Sequence, residues 1–158
     1  MLNLLFVCMG NICRSPSAEA VMIKIVEDAG LSEKIFCDSA GTISYHAGEP
    51  ADSRMQKHAV KRGFNLTSIA RKFNFNDFQK FDYILTMDDD NYFNVLSADS
   101  GGQFGNKVHR MVEFSSDKNV TEVPDPYYGG PQGFENVLDI LEESCKNFLD
   151  FLKKEHNL

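Results

Sequence analysis

The chain has 158 residues, 42% apolar and 25% charged, enough for one globular domain with a sizeable core and too few for two. No apolar run approaches the roughly 20 residues needed to span a bilayer, and the N-terminus lacks the basic and apolar regions of a signal peptide, so a cytoplasmic protein with no membrane partner is expected. The formal net charge of −7 argues against nucleic acid as a partner, because an acidic chain gains nothing from counterion release; any anion must be held by a local site.

LNLLFVC (2–8) is short and almost wholly apolar, as a buried strand should be. Beyond the loop that follows, Ser15 is a capping-type residue, Pro16 suits the first helical position and Glu19 the first turn. Val21, Met22, Ile25 and Val26 then recur at helical spacing, and Gly30 stops the helix. IFCDSAG (35–41) predicts a second strand, and ADSRMQKHAVKRG (51–63) a helix capped by Asp52 and stopped at Gly63. YILTM (83–87) predicts a third strand, after which an acidic DDD opens a helix running to about Ala98. VHRMVEF (108–114) predicts a fourth strand. A Pro- and Gly-rich loop (115–133) leads to a long final helix with Phe134, Val137, Leu138, Leu141, Cys145 and Phe148 on one face. Strands alternating with helices imply an α/β fold, a parallel sheet covered on both faces, in one domain over 1–158.

Four cysteines are too few for a disulfide scaffold. Cys37 falls inside a strand and Cys145 on an apolar helical face, so both are expected in the core. Cys8 is different, because it ends the first strand, and open α/β sheets bind ligands beyond the carboxyl ends of their strands. The residues after it, MGNICRS, can curl into a nest of backbone N–H groups at a helix N-terminus, an anion site. Gly10 permits close approach, Asn11 tolerates a left-handed conformation, and Arg14 offers a planar fork of donors for two phosphate oxygens. A thiolate is favoured in such a setting, and the Ser15 hydroxyl could donate to it. A metal clip is disfavoured, since Cys8 and Cys13 lack a second ligand pair. The arrangement therefore reads as a cysteine nucleophile beneath a bound oxyanion. Later in the chain, VPDPYYGG places Asp125 between two prolines, where a carboxylate is held in a restricted position and could serve as general acid and base, with Tyr127 and Tyr128 walling an aromatic substrate. His46, His58, His109 and His156 are read as structural or exposed.

Taken together, LLFVCMGNICRSPSAEAV, DSAGT, HAGEPAD, ARKF, YILTMD and VPDPYYGG resemble, in order and spacing, the low-molecular-weight protein tyrosine phosphatases. The resemblance implies a flavodoxin-like fold with four parallel strands and a phosphocysteine mechanism needing no metal and no cofactor. It implies Cys8 as nucleophile, Arg14 as phosphate clamp and Asp125 as general acid and base. The backbone of Met9, Gly10, Asn11, Ile12, Cys13 and Arg14 would cradle phosphate, with Asn11, Ser15 and Ser39 shaping the loop by hydrogen bonds. Cys13 would form a protective disulfide with Cys8 under oxidation, and Tyr45 would face Tyr127 and Tyr128 across the cleft. Phosphotyrosine-containing proteins are the implied substrates, inorganic phosphate the product, and a monomer or weak homodimer the implied state. Ser68 stands where many members carry a histidine supporting the loop network. Protein-arginine phosphatases of the same fold carry threonine where this chain has Ile12, and thioredoxin-coupled arsenate reductases use additional cysteines in the middle of the chain. Between Cys37 and Cys145 this chain has none.

Overall fold

Why the chain adopts its architecture is clearest at β1 (Leu2–Cys8), the strand from which everything else is hung. In the computed structural model, which describes residues 1–158, β1 pairs in parallel with β2 (Ile35–Gly41) on one side and β3 (Tyr83–Thr86) on the other. β4 (Val108–Arg110) extends the sheet beyond β3, giving the order β2-β1-β3-β4. Successive side chains of a strand point to opposite faces. Leu4, Phe6 and Cys8 therefore enter a large core beneath α1 (Arg14–Asp28), α2 (Ser53–Val60) and the final helix, while Leu5 and Val7 enter a smaller one with Phe73, Phe78, Phe81 and Val95. The short α3 (Asp77–Lys80), absent from the sequence reading, and α4 (Asp89–Ser97) cover that second face. The 26-residue α5 (Pro131–His156) lies along α1, with Cys145 fully buried between them. Cys37 is buried as well.

The chain order reverses between β1 and β3, which places a crevice at the carboxyl ends of these two strands. The loops after β1, β3 and β4 all converge there.

Two boundaries depart from expectation. α1 begins at Arg14, with Cys13 at the cap position, so Ser15 is no cap; its hydroxyl is engaged by Cys8 and Asn11 instead. Pro16 thus sits third in the helix, still within the first turn where backbone N–H groups have no helical partner. Glu19 lies beyond that turn and is buried, so it does not serve the helix dipole. The fourth strand stops at Arg110, since Met111–Phe114 coil into a 3₁₀ turn in which the Glu113 carboxylate accepts from the Arg110 N–H. Asp52, by contrast, caps α2 as expected, accepting from the N–H groups of Arg54 and Met55.

Candidate active site

Parallel pairing carries Cys8 to the end of β1 opposite Gly41, and the chain must then turn sharply to start α1 six residues later. Asn11 makes that turn with φ of 57°, a left-handed conformation that Asn tolerates better than most side chains. Its backbone N–H is thereby aimed at the Cys8 Sγ, 3.3 Å away. The Asn11 side chain is fully used: Nδ2 donates to Ser15 Oγ (2.8 Å) and to Ser39 Oγ (3.0 Å), and Oδ1 accepts from the Arg71 N–H (3.0 Å). Ser15 Oγ in turn lies 3.0 Å from Cys8 Sγ and 3.4 Å from the Ala40 carbonyl. Asn11, Ser15 and Ser39 are thus joined by hydrogen bonds into one network beneath the loop. Ser68 takes no part in it; the backbone of Arg71 closes the network instead.

Arg14 is buried at the start of α1, and its direction is set from outside the loop. Its Nη1 donates to Asp88 Oδ2 (2.6 Å) and to the Val123 carbonyl (3.2 Å). Burial works against its charge, but Cys8, Asp88 and Asp125 outweigh burial and hold its pKa above the usual arginine value. Asp88 has a second task, capping α4 by accepting from the Asn91 N–H (2.8 Å). The sequence reading recognised the helix start at DDD and missed the clamp, because nothing local to residue 88 reports a partner 74 residues away.

Asp125 comes from the loop after β4, half-exposed at the mouth of the cleft, with one oxygen 3.7 Å from Arg14 Nη2 and the other accepting from the Tyr127 N–H (3.0 Å). The cleft is lined by Cys8, Met9, Gly10, Ile12, Cys13, Arg14, Ile43, His46, Asp125, Tyr127 and Tyr128. Tyr127 and Tyr128 pack edge to face, their ring centroids 5.0 Å apart. Tyr45, expected at this rim, stands one ring further out: it is 82% exposed and packs edge-on against His46, which itself lines the cleft. His46, expected to be structural or exposed, borders Gly10 with its ring and pairs with Glu49. Cys13 is buried in the cleft wall, and burial, followed by Asp52, Cys8 and Asp125, pushes its thiol well above the ordinary range, so it is held protonated.

Two supports lie beneath the loop. A Cβ on Gly41 would stand 2.6 Å from the Met9 carbonyl oxygen, so only glycine lets β2 approach the catalytic loop this closely. Glu19 is buried near Ser39 with one carboxylate oxygen unpartnered, and burial pushes its pKa up to about 7.

A family model described as low molecular weight phosphotyrosine protein phosphatase matches residues 3–158. The chain belongs to that family. A relative described as a putative low molecular weight protein-tyrosine-phosphatase of Synechocystis is 51% identical over 154 residues, 98% of each chain. Among solved structures, a protein tyrosine phosphatase from Entamoeba histolytica superposes with a TM-score of 0.94 at 50% identity, covering 98% of this chain and 99% of that one. A Drosophila arginine phosphatase also superposes, with a TM-score of 0.89 at 31% identity over 95% and 97% of the two chains. The same fold is therefore shared by phosphatases named for two different phosphorylated residues. No helix is long and apolar enough to cross a membrane.

Proposed function

We propose that this phosphatase hydrolyses phosphotyrosine in proteins through a phosphocysteine on Cys8. The observation that carries the reading is the convergence on Cys8 Sγ of the Asn11 N–H and the Ser15 hydroxyl, with Arg14 and Asp125 at the mouth of the same cleft. The phosphate of the substrate sits on the Met9–Arg14 backbone and the Nη2 edge of Arg14, which faces Asp125 across the cleft and is a planar fork suited to two oxygens. The Cys8 thiolate attacks phosphorus in line; the bond from phosphorus to the phenolic oxygen breaks, and Asp125 gives its proton to the departing phenolate. Water then attacks the phosphocysteine, losing its proton to Asp125; the phosphorus–sulfur bond breaks, and inorganic phosphate and the thiolate are released. Ser15 has a single hydroxyl proton and two neighbours for it, Cys8 Sγ and the Ala40 carbonyl. Turning it toward sulfur stabilises the thiolate both as nucleophile and as leaving group, while Asn11 Nδ2 keeps the hydroxyl oxygen in place.

Ile12, 8% exposed in the cleft wall, and the Tyr127–Tyr128 pair supply apolar surface that favours a phenyl ring over a guanidinium. Kinetics on matched phosphotyrosine and phosphoarginine peptides, with Cys8→Ser as the blank, test the reading. Faster release from phosphotyrosine, abolished in the serine variant, is expected; a preference for phosphoarginine, or turnover by Cys8→Ser at more than about a hundredth of wild type, would overturn it.

A further inference from the structure

A second depression adjoins the catalytic cleft. It encloses about 330 Å³ between the chain just after β2 and the outer face of α4, with Thr42, Ile43, Lys72, Phe73, Asn94 and Ser97 among its walls. Ile43 lines both spaces, so a chain leaving the cleft over Ile43 enters the groove directly. The wall is rigidly tied to the catalytic loop: the Thr42 N–H donates to the Cys8 carbonyl (2.9 Å) and the Ile43 N–H to the Met9 carbonyl (3.1 Å). Phe73 and Val95 give it a buried floor. The polar groups around it have spare capacity. The Thr42 hydroxyl is buried without a hydrogen-bond partner, Asn94 is exposed, and Lys72 is exposed with an ammonium that enters no ion pair. Glu49, Asp52 and Asp125, near the cleft, each already face a basic partner, whereas Lys72 is left free to meet an incoming carboxylate.

We infer that this groove is a substrate subsite, taking an acidic side chain that flanks the phosphotyrosine, with its carboxylate on Lys72 and within reach of the Asn94 amide. The inference rests on the phosphotyrosine reading and narrows its substrate class. One lysine with no arginine fork suits a carboxylate better than a second phosphate, which calls for bidentate donors. Because Ile43 lines both spaces, the acidic residue lies close in sequence to the phosphotyrosine.

The test compares two phosphotyrosine peptides, identical except for Glu or Gln at the flanking positions, and para-nitrophenyl phosphate as a substrate too small to reach the groove. Lys72→Gln and Lys72→Glu are suitable variants, because Lys72 meets Gly41 through its backbone and its side chain is exposed. The wild type should favour the Glu peptide about threefold to fivefold in kcat/KM at low salt, an advantage of the size of an exposed ion pair. Lys72→Gln should abolish the preference and Lys72→Glu reverse it, both leaving the small substrate unchanged. Equal rates for the two peptides in the wild type, or the same Glu/Gln ratio in Lys72→Gln, would overturn the subsite. Failure of the wild type to hydrolyse even the Gln peptide would instead overturn the phosphotyrosine reading beneath it.

Discussion

Replacing Gly41 by alanine probes the catalytic loop without touching a reacting group. The added Cβ would lie 2.6 Å from the Met9 carbonyl oxygen and 3.2 Å from both the backbone nitrogen and the Cβ of Asn11. Real Cβ atoms essentially never approach closer than 3.0 Å, so the loop or β2 must retreat by at least about 0.4 Å. Neither can do so freely. Gly41 is paired with Cys8 in the sheet, and Asn11 is held by Ser15, Ser39 and Arg71. Overpacking of this kind typically costs about 1–3 kcal/mol of stability, which a folded domain can survive. Catalysis should suffer more, because the Asn11 N–H and the cradle donors move with the loop; a displacement approaching 1 Å is worth about 10²-fold in rate, and we expect a loss of about 10-fold to 100-fold in kcat. Gly130→Ala is the control, since nothing lies within 4 Å of a Cβ there. Steady-state kinetics on an aryl phosphate, with urea unfolding of both variants, decides the matter. A folded Gly41→Ala enzyme with wild-type kcat would refute the claim that loop geometry depends on this contact.

Other consequences can be checked alongside. Asp125→Asn should slow phosphoryl transfer by about 10²–10⁴-fold for alkoxide-like leaving groups and far less for activated aryl phosphates; equal losses across leaving groups would argue against its acid role. Burial raises Glu19 to about 7, above the ordinary 4.5, so the stability tied to its neutral form is complete below 4.5 and is lost as pH rises through 7. That amounts to about 3 kcal/mol, and Glu19→Gln should flatten the corresponding slope in urea unfolding between about pH 4.5 and 7; an unchanged slope would contradict it. Cys13→Ser should retain most turnover but recover poorly with thiol after peroxide. If Cys13, which lines the same cleft as Cys8, condenses with a Cys8 sulfenic acid, water is released and a reducible disulfide forms, which the Cys13→Ser variant cannot make. Recovery equal to wild type would remove that role.

Much of this was legible in the sequence because it is written locally. The apolar runs at 2–8 and 35–41 are strands over those same residues, and the spacing of Cys8, Arg14 and Ser15 describes a strand, a turn and a helix start in one stretch. What escaped depends on the fold bringing distant residues together. The acidic DDD reads as a helix start and is one, with Asp88 as its cap, yet the other oxygen of Asp88 fixes Arg14. Gly41 ends a strand like many glycines, and its importance lies in the carbonyl opposite. His46 and Tyr45 are neighbours in sequence, and only the conformation of their loop decides which ring lines the cleft. Ser15 was half legible: its place near a helix start suggests a cap, which it is not, while its place in the anion loop suggests a donor to Cys8, from which its hydroxyl lies 3.0 Å.

The central claim is that phosphate passes through Cys8. It is tested most directly by mixing Asp125→Asn with para-nitrophenyl phosphate, whose departure needs little acid assistance, quenching in denaturant within milliseconds to seconds, and locating any covalent phosphate by mass spectrometry. Phosphate on the Cys8 peptide, formed as the phenol is released and decaying as inorganic phosphate appears, is the result this account predicts. Phenol release with no phosphate on Cys8 at any time, while the variant continues to turn over, would contradict it.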